Sequence, residues 1–172
     1  MSNALAVLAA VDAVGGDLGL AGLALAELGG LAGRGARFTA TLPGGGEALV
    51  IDEAYNANPA SMRATLAVLG EEAGRHVAVL GEMRELGHAS ADYHAGLAEP
   101  MLAARVEAAV LVGEAMRPLA ERLEGRIAIV HCANAGAALA AAREMIAPGD
   151  AVLVKGSNGV GLARVIAGLK GA

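Results

Sequence analysis

The chain has 172 residues, which is enough for one compact domain with its own hydrophobic core. Its 13 basic and 18 acidic side chains give a formal net charge of -5 at pH 7, which argues against charge-driven binding to nucleic acid or to an anionic membrane. The hydrophobic fraction of 55% is inflated by alanine, and no window reaches the roughly 18 consecutive apolar residues of a membrane-spanning helix.

The cysteine and histidine content indicates the cellular compartment and whether a structural metal site is expected. A single cysteine, Cys132, excludes an internal disulfide and fits a reducing compartment. The four histidines are scattered, which argues against a structural zinc site. We therefore expect a soluble, cytoplasmic protein that binds no metal in isolation.

Residues 1–30 have the pattern of two short helices. Alanine and leucine recur at helical spacing, with a break at Gly15-Gly16 and an end at Gly29-Gly30. Such a pair has little polar surface, so at least one of its apolar faces should pack on something else.

The next segment, from residue 36, has the pattern of a β-hairpin. The short runs ARFTATL and EALVIDE flank the turn signal Pro43-Gly44-Gly45-Gly46. A helix is then expected to start at Pro59-Ala60-Ser61 and to continue through SMRATLAVLGEEAG.

Aliphatic runs alternate with helical segments over the rest of the chain. The runs HVAVLGE, AAVLVGE, RIAIVH and AVLVKGS are typical of buried parallel strands, and a helical stretch is expected from about Ser90 to Arg105. This order predicts an α/β domain over about residues 36–170. The expected fold is a Rossmann-like, doubly wound, mostly parallel sheet with an antiparallel hairpin, preceded by a short helical leader.

Polar residues follow several predicted strands, where open parallel sheets bind their ligands. Lys155 and the glycines at 156, 159 and 161 are compatible with phosphate or carboxylate binding, and also with a tight turn in which Lys155 is a solvated or helix-packing cation. His88 and His94 are too far apart for a helical metal pair, so we expect a helix cap or a surface position for them.

The stretch DEAYNANP after the hairpin concentrates further polar chemistry. Asp52 and Glu53 could cap the following helix, bind a ribose or orient an arginine. Tyr55, Asn56 and Asn58 would suit a nucleotide base and its sugar, although asparagines also form turns.

These motifs, in this order, are shared with a known family. The chain resembles the C-terminal domain of the Mur ligases that join D-alanyl-D-alanine to UDP-N-acetylmuramoyl-tripeptide in bacterial peptidoglycan synthesis. The likeness rests on DEAYNANPASMRATLAVLG, VAVLGEMRELG, the histidine of ADYH, VLVGEAM and VLVKGS, and extends over about residues 3–170. NALAVLAAV resembles the closing helix of the family's central ATPase domain, and Gly33-Arg34-Gly35 resembles the element that leads into the C-terminal domain.

The resemblance implies a domain division and a mechanism. Residues 1–33 would be a helical leader left from the central ATPase domain, and residues 34–172 would be the Mur ligase C-terminal domain. The whole enzyme would use ATP and Mg²⁺ to convert the tripeptide's carboxylate into an acyl phosphate, with ADP as the other product. The amine of D-alanyl-D-alanine would then attack the acyl phosphate, and the tetrahedral intermediate would collapse to the new peptide bond with loss of inorganic phosphate. The C-terminal domain would swing onto the central domain and complete the active site.

The resemblance also implies roles for particular side chains. Arg34 would reach the ribose or phosphates, held by one of the acids Asp52 and Glu53. Lys155 and Ser157 would lie near the dipeptide cleft. The full set of implied nucleotide-binding residues is Arg34, Asp52, Glu53, Tyr55, Asn56 and Asn58.

One departure from the whole family enzyme matters for activity. No GxxxxGK[ST] phosphate-binding loop occurs in the chain. We therefore expect a fragment that is inactive alone, binds no cofactor tightly, and needs the N-terminal and central domains of the same ligase as partners. The alternative is a non-catalytic module that binds a nucleotide or dipeptide by itself or acts as a scaffold. A Rossmann-type oxidoreductase is disfavoured, because no early glycine fingerprint is followed by an acid at the expected distance.

Overall fold

The helices predicted for the start of the chain are present in the computed structural model, which describes residues 2–27 and 32–171. Helix α1 spans Ser2–Ala13 and α2 spans Leu18–Glu27, so the predicted break at Gly15 and Gly16 is confirmed. The predicted end at Gly29-Gly30 lies outside the described residues. Met1–Gly30 forms one compact unit and Leu31–Ala172 another. The assignment of the first unit to a central ATPase domain stays a prediction.

The second unit contains one six-stranded sheet. Its strands in chain order are β1 (Ala36–Thr41), β2 (Glu47–Glu53), β3 (His76–Gly81), β4 (Val106–Val112), β5 (Ala128–Cys132) and β6 (Ala151–Lys155). Their order in space is β1-β2-β6-β3-β4-β5, with β1 and β2 antiparallel and every other neighbouring pair parallel. The predicted mostly parallel sheet with one hairpin is therefore confirmed.

The helices of this unit lie between consecutive strands, except α8, which follows the last strand. They are α3 (Pro59–Gly70), α4 (Ser90–Ala95), α5 (Ala98–Ala103), α6 (Arg117–Leu123), α7 (Ala135–Met145) and α8 (Ala163–Lys170). The expected helical stretch from about Ser90 to Arg105 is present, and it consists of two helices separated at Gly96-Leu97. Pro100 has no backbone N–H to donate, and it is tolerated in the first turn of a new helix rather than in the interior of a long one.

Apolar cores lie on both faces of the sheet. Because successive strand residues point to opposite faces, Val77 and Val79 join the core formed with α7 and α8. Ala78 and Leu80 join the core formed with α3, α5 and α6. Burial on both faces explains why β3, β4 and β6 are continuous aliphatic runs instead of alternating patterns. The expectation of a buried strand is wrong for β5, which lies at the edge of the sheet and exposes Ala128, Val130 and His131.

The strand order determines which loops meet. Strand β6 lies between β2 and β3, with Lys155 opposite both Glu53 and Leu80 in the register. The carboxyl ends of these three strands are thus side by side, and the loops 54–58, 82–87 and 156–159 leave from the same edge. None of the helices within residues 2–27 and 32–171 is long and apolar enough to cross a membrane.

Candidate functional site

Asp52 joins two segments at this edge. It is 3% exposed, and its carboxylate accepts hydrogen bonds from the backbone N–H of Gly33 at 2.9 Å and of Ala54 at 3.1 Å. The backbone reinforces the junction, since Gly35 N–H donates to the Asp52 carbonyl at 2.9 Å and Tyr55 N–H donates to the Gly33 carbonyl at 3.1 Å. The acid that holds the segment around Arg34 is therefore Asp52, and it acts through the backbone on either side of that arginine.

Arg34 and Tyr55 form a stacked pair. The Arg34 Cζ atom lies 4.1 Å from the centroid of the Tyr55 ring, a distance at which a guanidinium is attracted by the π-face. Gly33 makes this approach possible, because its φ is 74° and a Cβ there would lie 2.8 Å from the Tyr55 backbone nitrogen. Both side chains are exposed, so the pair presents a flat, cationic surface.

Lys155 is buried, so the alternative of a solvated lysine is wrong. Its side chain is 2% exposed, and its Nζ donates to the carbonyl of Asn56 at 2.8 Å and lies 3.5 Å from the Glu53 carboxylate. Burial lowers the pKa of Lys155, and the neighbouring Glu53 carboxylate offsets this effect only in part. The amine thereby fixes the loop after β2 to the end of β6.

The two asparagines of the loop both form local hydrogen bonds. The Asn58 side chain accepts from Ser61 N–H at 2.8 Å, and the Ser61 hydroxyl accepts from Asn58 N–H at 3.1 Å, which is a capping box at the start of α3. The Asn56 side-chain oxygen accepts from Ala57 N–H at 2.8 Å. Both asparagines therefore bond within their own loop, Asn58 as a helix cap, and both side chains remain exposed at the edge.

Ser157 ties two loops together. It is 5% exposed, its hydroxyl accepts from Arg84 N–H at 2.9 Å, and its own N–H donates to the Glu82 carbonyl at 3.2 Å. The sequence interpretation placed Ser157 at the dipeptide cleft and assigned no role to Arg84. In the structure it is Arg84 that exposes its side chain.

His94 contradicts the expected surface position, whereas His88 is exposed. His94 is fully buried, and its Nε2 accepts from Met83 N–H at 2.9 Å. Its Nδ1 lies 2.7 Å from the Ser90 carbonyl oxygen, so the proton resides on Nδ1. The histidine thus holds the loop after β3 in place. Its burial depends on α4 packing under that loop, which the local sequence does not encode.

Three depressions adjoin one another at this edge, and the loop after β2 lines each of them. One of about 220 Å³ lies between Arg34, Asn58 and Lys155. One of about 310 Å³ has mainly apolar walls that include Ala54 and Ile166. The third, of about 460 Å³, reaches the loops after β3 and β6.

The predicted site residues come together around these depressions. They are Arg34, Asp52, Glu53, Tyr55, Asn56, Asn58, Lys155 and Ser157. A larger depression of about 620 Å³ lies at the opposite edge, where β4 and β5 begin, away from all of them. In the part of the chain that the structure describes, no three His, Cys, Asp or Glu side chains are grouped to hold a metal ion.

The fold is that of a doubly wound α/β domain, a class that binds its ligands at the carboxyl ends of the strands, where this edge lies. The sequence profile of the family described as "Mur ligase, glutamate ligase domain" matches residues 36–158. The chain belongs to this family of ATP-dependent ligases, which confirms the resemblance found in the motifs.

Individual relatives agree with this assignment. The chain is 32% identical over 173 aligned positions to the UDP-N-acetylmuramoyl-tripeptide--D-alanyl-D-alanine ligase of Escherichia coli K12, covering 99% of this chain and 36% of that protein. The Mycobacterium leprae ligase of the same name is 40% identical over 134 positions, covering 66% and 26%. A crystal structure of MurF from Acinetobacter baumannii superposes with a TM-score of 0.83 at 27% identity, covering 99% of this chain and 37% of that one. The chain thus spans only 26–36% of the length of these curated relatives.

Proposed function

We propose that this chain is the C-terminal domain of the ATP-dependent, ADP-forming ligase that adds D-alanyl-D-alanine to UDP-N-acetylmuramoyl-tripeptide in peptidoglycan synthesis. Curated relatives with that name align over 66–99% of the chain. The structural observation that carries the proposal is the convergence of the GRG, YNANP and VKGS segments on one edge of the sheet.

The stacked pair and the apolar depression suit the base and ribose side of a nucleotide. The depression of about 310 Å³ is lined by Ala54, Tyr55 and Ile166, which can cover a flat base, and by the side chain of Asn158, which can bond its edge. Arg34 stands beside it as a cation for the ribose or phosphates. In this proposal Arg34, Tyr55, Asn56 and Asn58 face the nucleotide, while Asp52 and Glu53 hold the surrounding loops.

ATP would supply the phosphoryl group that activates the tripeptide's carboxylate. No three His, Cys, Asp or Glu side chains of the described residues are grouped to hold a metal ion, and the sequence has no GxxxxGK[ST] loop. We therefore assign Mg²⁺ and the phosphate cradle to the remainder of the ligase. The chain alone is proposed to be inactive and to bind ATP weakly.

The helix pair at the start is proposed to belong to the central ATPase domain, with the boundary near residue 33. Its side chains Leu5, Leu20 and Leu23 are each 66–67% exposed, and the alignment with the Escherichia coli ligase covers 99% of the chain, including this pair. Exposed leucines on both helices suit a surface that packs against a further part of the same ligase. The proposed location is the cytoplasm, with UDP-N-acetylmuramoyl-tripeptide and D-alanyl-D-alanine as substrates of the whole enzyme.

A chimera tests the proposal. Residues 34–171 would replace the C-terminal domain of a D-alanyl-D-alanine-adding ligase, and ADP release would be measured with all three substrates. We expect ADP release that requires the dipeptide, and its reduction in the Tyr55→Ala chimera. A folded chimera that binds ATP yet releases no ADP, beside an active unmodified ligase, would refute the assignment.

Calorimetry on the chain itself separates this proposal from a self-contained module. A half-site should bind ATP more weakly than micromolar. Binding at about 1 μM or tighter, equivalent to about -8 kcal/mol, would favour the self-contained module.

A further inference from the structure

Arg84 is an exposed cation beside the third depression. Its side chain is 54% exposed, and its Nε lies 3.4 Å from the Glu82 carboxylate. Within the described residues its two Nη groups donate no hydrogen bond. Exposed ion pairs of this kind are weak, so Glu82 orients the guanidinium without saturating it.

The backbone that carries Arg84 is held by three different parts of the domain. The N–H of Glu82 donates to the Val112 carbonyl at 3.0 Å, and the N–H of Met83 donates to His94 at 2.9 Å. The N–H of Arg84 itself donates to the Ser157 hydroxyl. A loop held at successive residues presents its side chain with little further loss of conformational entropy, which favours ligand binding.

The guanidinium rests against a glycine. A Cβ at Gly159 would lie 2.9 Å from the Arg84 Cζ, so the flat group can occupy this position only because residue 159 has no side chain. The next residue, Glu85, has a φ of 65°, in the left-handed region that non-glycine residues seldom adopt. Such backbone strain concentrates at ligand-binding sites.

The depression of about 460 Å³ offers a specific set of polar groups. Arg84 and Glu85 supply opposite charges, and the amides of Asn56, Asn58 and Asn158 lie on the border that this depression shares with the two nucleotide-side depressions. A small zwitterion with a peptide bond matches this lining, because its carboxylate, ammonium and amide each find a group of complementary character. A polyanionic triphosphate matches it less well, because Glu85 would repel it.

We propose that Arg84 binds the C-terminal carboxylate of the D-alanyl-D-alanine substrate in this depression. The inference rests on the proposed function and names the side chain that recognises the incoming dipeptide. Lys155 and Ser157, which the family resemblance implied for the cleft, are 2% and 5% exposed and bond to other parts of the protein. A guanidinium can bind a carboxylate through two parallel N–H···O bonds, which suits recognition of a free chain end.

The test compares two dipeptides on the isotopically labelled 172-residue chain. Nuclear magnetic resonance would follow the Arg84 Nε–H and Gly159 N–H signals during titration, up to the solubility limit, with D-alanyl-D-alanine or with D-alanyl-D-alaninamide. The amide lacks only the carboxylate charge. We expect progressive shifts at both groups with the acid and at least tenfold weaker binding of the amide.

Three variants separate binding from folding. Arg84→Met should abolish the preference for the acid over the amide. Gly159→Ala keeps the charge but displaces the guanidinium, so it should weaken binding of the acid while leaving the thermal transition close to that of the wild type. Arg122→Met removes the same charge from an exposed position on α6 and should change nothing.

The inference is overturned if Arg84 and Gly159 do not respond to D-alanyl-D-alanine, if the amide binds as well as the acid, or if Arg84→Met retains the preference. Any of these results together with ATP-dependent shifts at Tyr55 and an active chimera would leave the proposed function standing. Failure of the chimera and of the ATP response would count against the proposed function itself.

Discussion

Replacement of Asp52 by alanine should destabilise the sheet domain more than any other change to an acid at the site edge. The buried carboxylate accepts two backbone N–H bonds, at 2.9 and 3.1 Å. Hydrogen bonds to a charged group contribute about 1.5–3 kcal/mol each, an upper sum of about 3–6 kcal/mol. Part of this loss is regained because the alanine variant no longer has to bury a charge. We expect the free energy of unfolding to fall by about 2–4 kcal/mol.

Urea unfolding followed by circular dichroism would measure this loss, and amide hydrogen exchange would locate it. Exchange at Gly33 and Ala54 should accelerate selectively in Asp52→Ala. The neighbouring acid is a matched control, because Glu53 contacts Lys155 only at 3.5 Å and is partly exposed. Glu53→Gln should therefore change the free energy of unfolding by less than about 1 kcal/mol.

Equal losses of stability in the two variants would refute the reasoning. They would show that Asp52, with its buried hydrogen bonds, stabilises the domain no more than the partly exposed Glu53 does. Unchanged exchange at Gly33 and Ala54 in Asp52→Ala would refute it as well. A selective loss would show that the carboxylate positions the turn bearing Arg34.

Three further substitutions test other parts of the edge. Because burial lowers the pKa of Lys155 in the folded state, the unfolded chain binds more protons between that lowered pKa and the ordinary value of 10.5. Wild-type stability should therefore gain relative to Lys155→Met as pH rises through this window, and parallel urea midpoints across it would contradict the assignment. Asn58→Ala should lower the free energy of unfolding by about 1 kcal/mol through loss of the α3 cap, measured in urea against Asn58→Asp, which should keep most of it. His94→Leu leaves the buried Met83 N–H without its acceptor and should lower the free energy of unfolding by about 1–3 kcal/mol, whereas a loss below about 0.5 kcal/mol would indicate a peripheral role.

The elements that were predicted correctly are those determined by residues close together in the sequence. The turn at Pro43–Gly46 lies between two strands that pair directly, and the Asn58–Ser61 capping box is complete within four residues. The aliphatic runs of β3, β4 and β6 indicated strands buried on both faces, because only such strands lack polar alternation. The stretch from about Ser90 to Arg105 was predicted as helical, but its interruption at Gly96-Leu97 was not predicted.

The sequence by itself determined the α/β class, the hairpin, the family and the segments that carry the site. The tertiary structure alone decided what individual polar side chains do there. Lys155 reaches Glu53 across 102 positions, and Ser157 reaches Arg84 across 73, because β6 inserts between β2 and β3. Periodicity and caps are local and can be seen in the order of residues. Burial of a lysine, a serine or a histidine depends on distant segments that pack around it, so a polar residue after a strand has the same local pattern whether it faces a ligand or holds a loop.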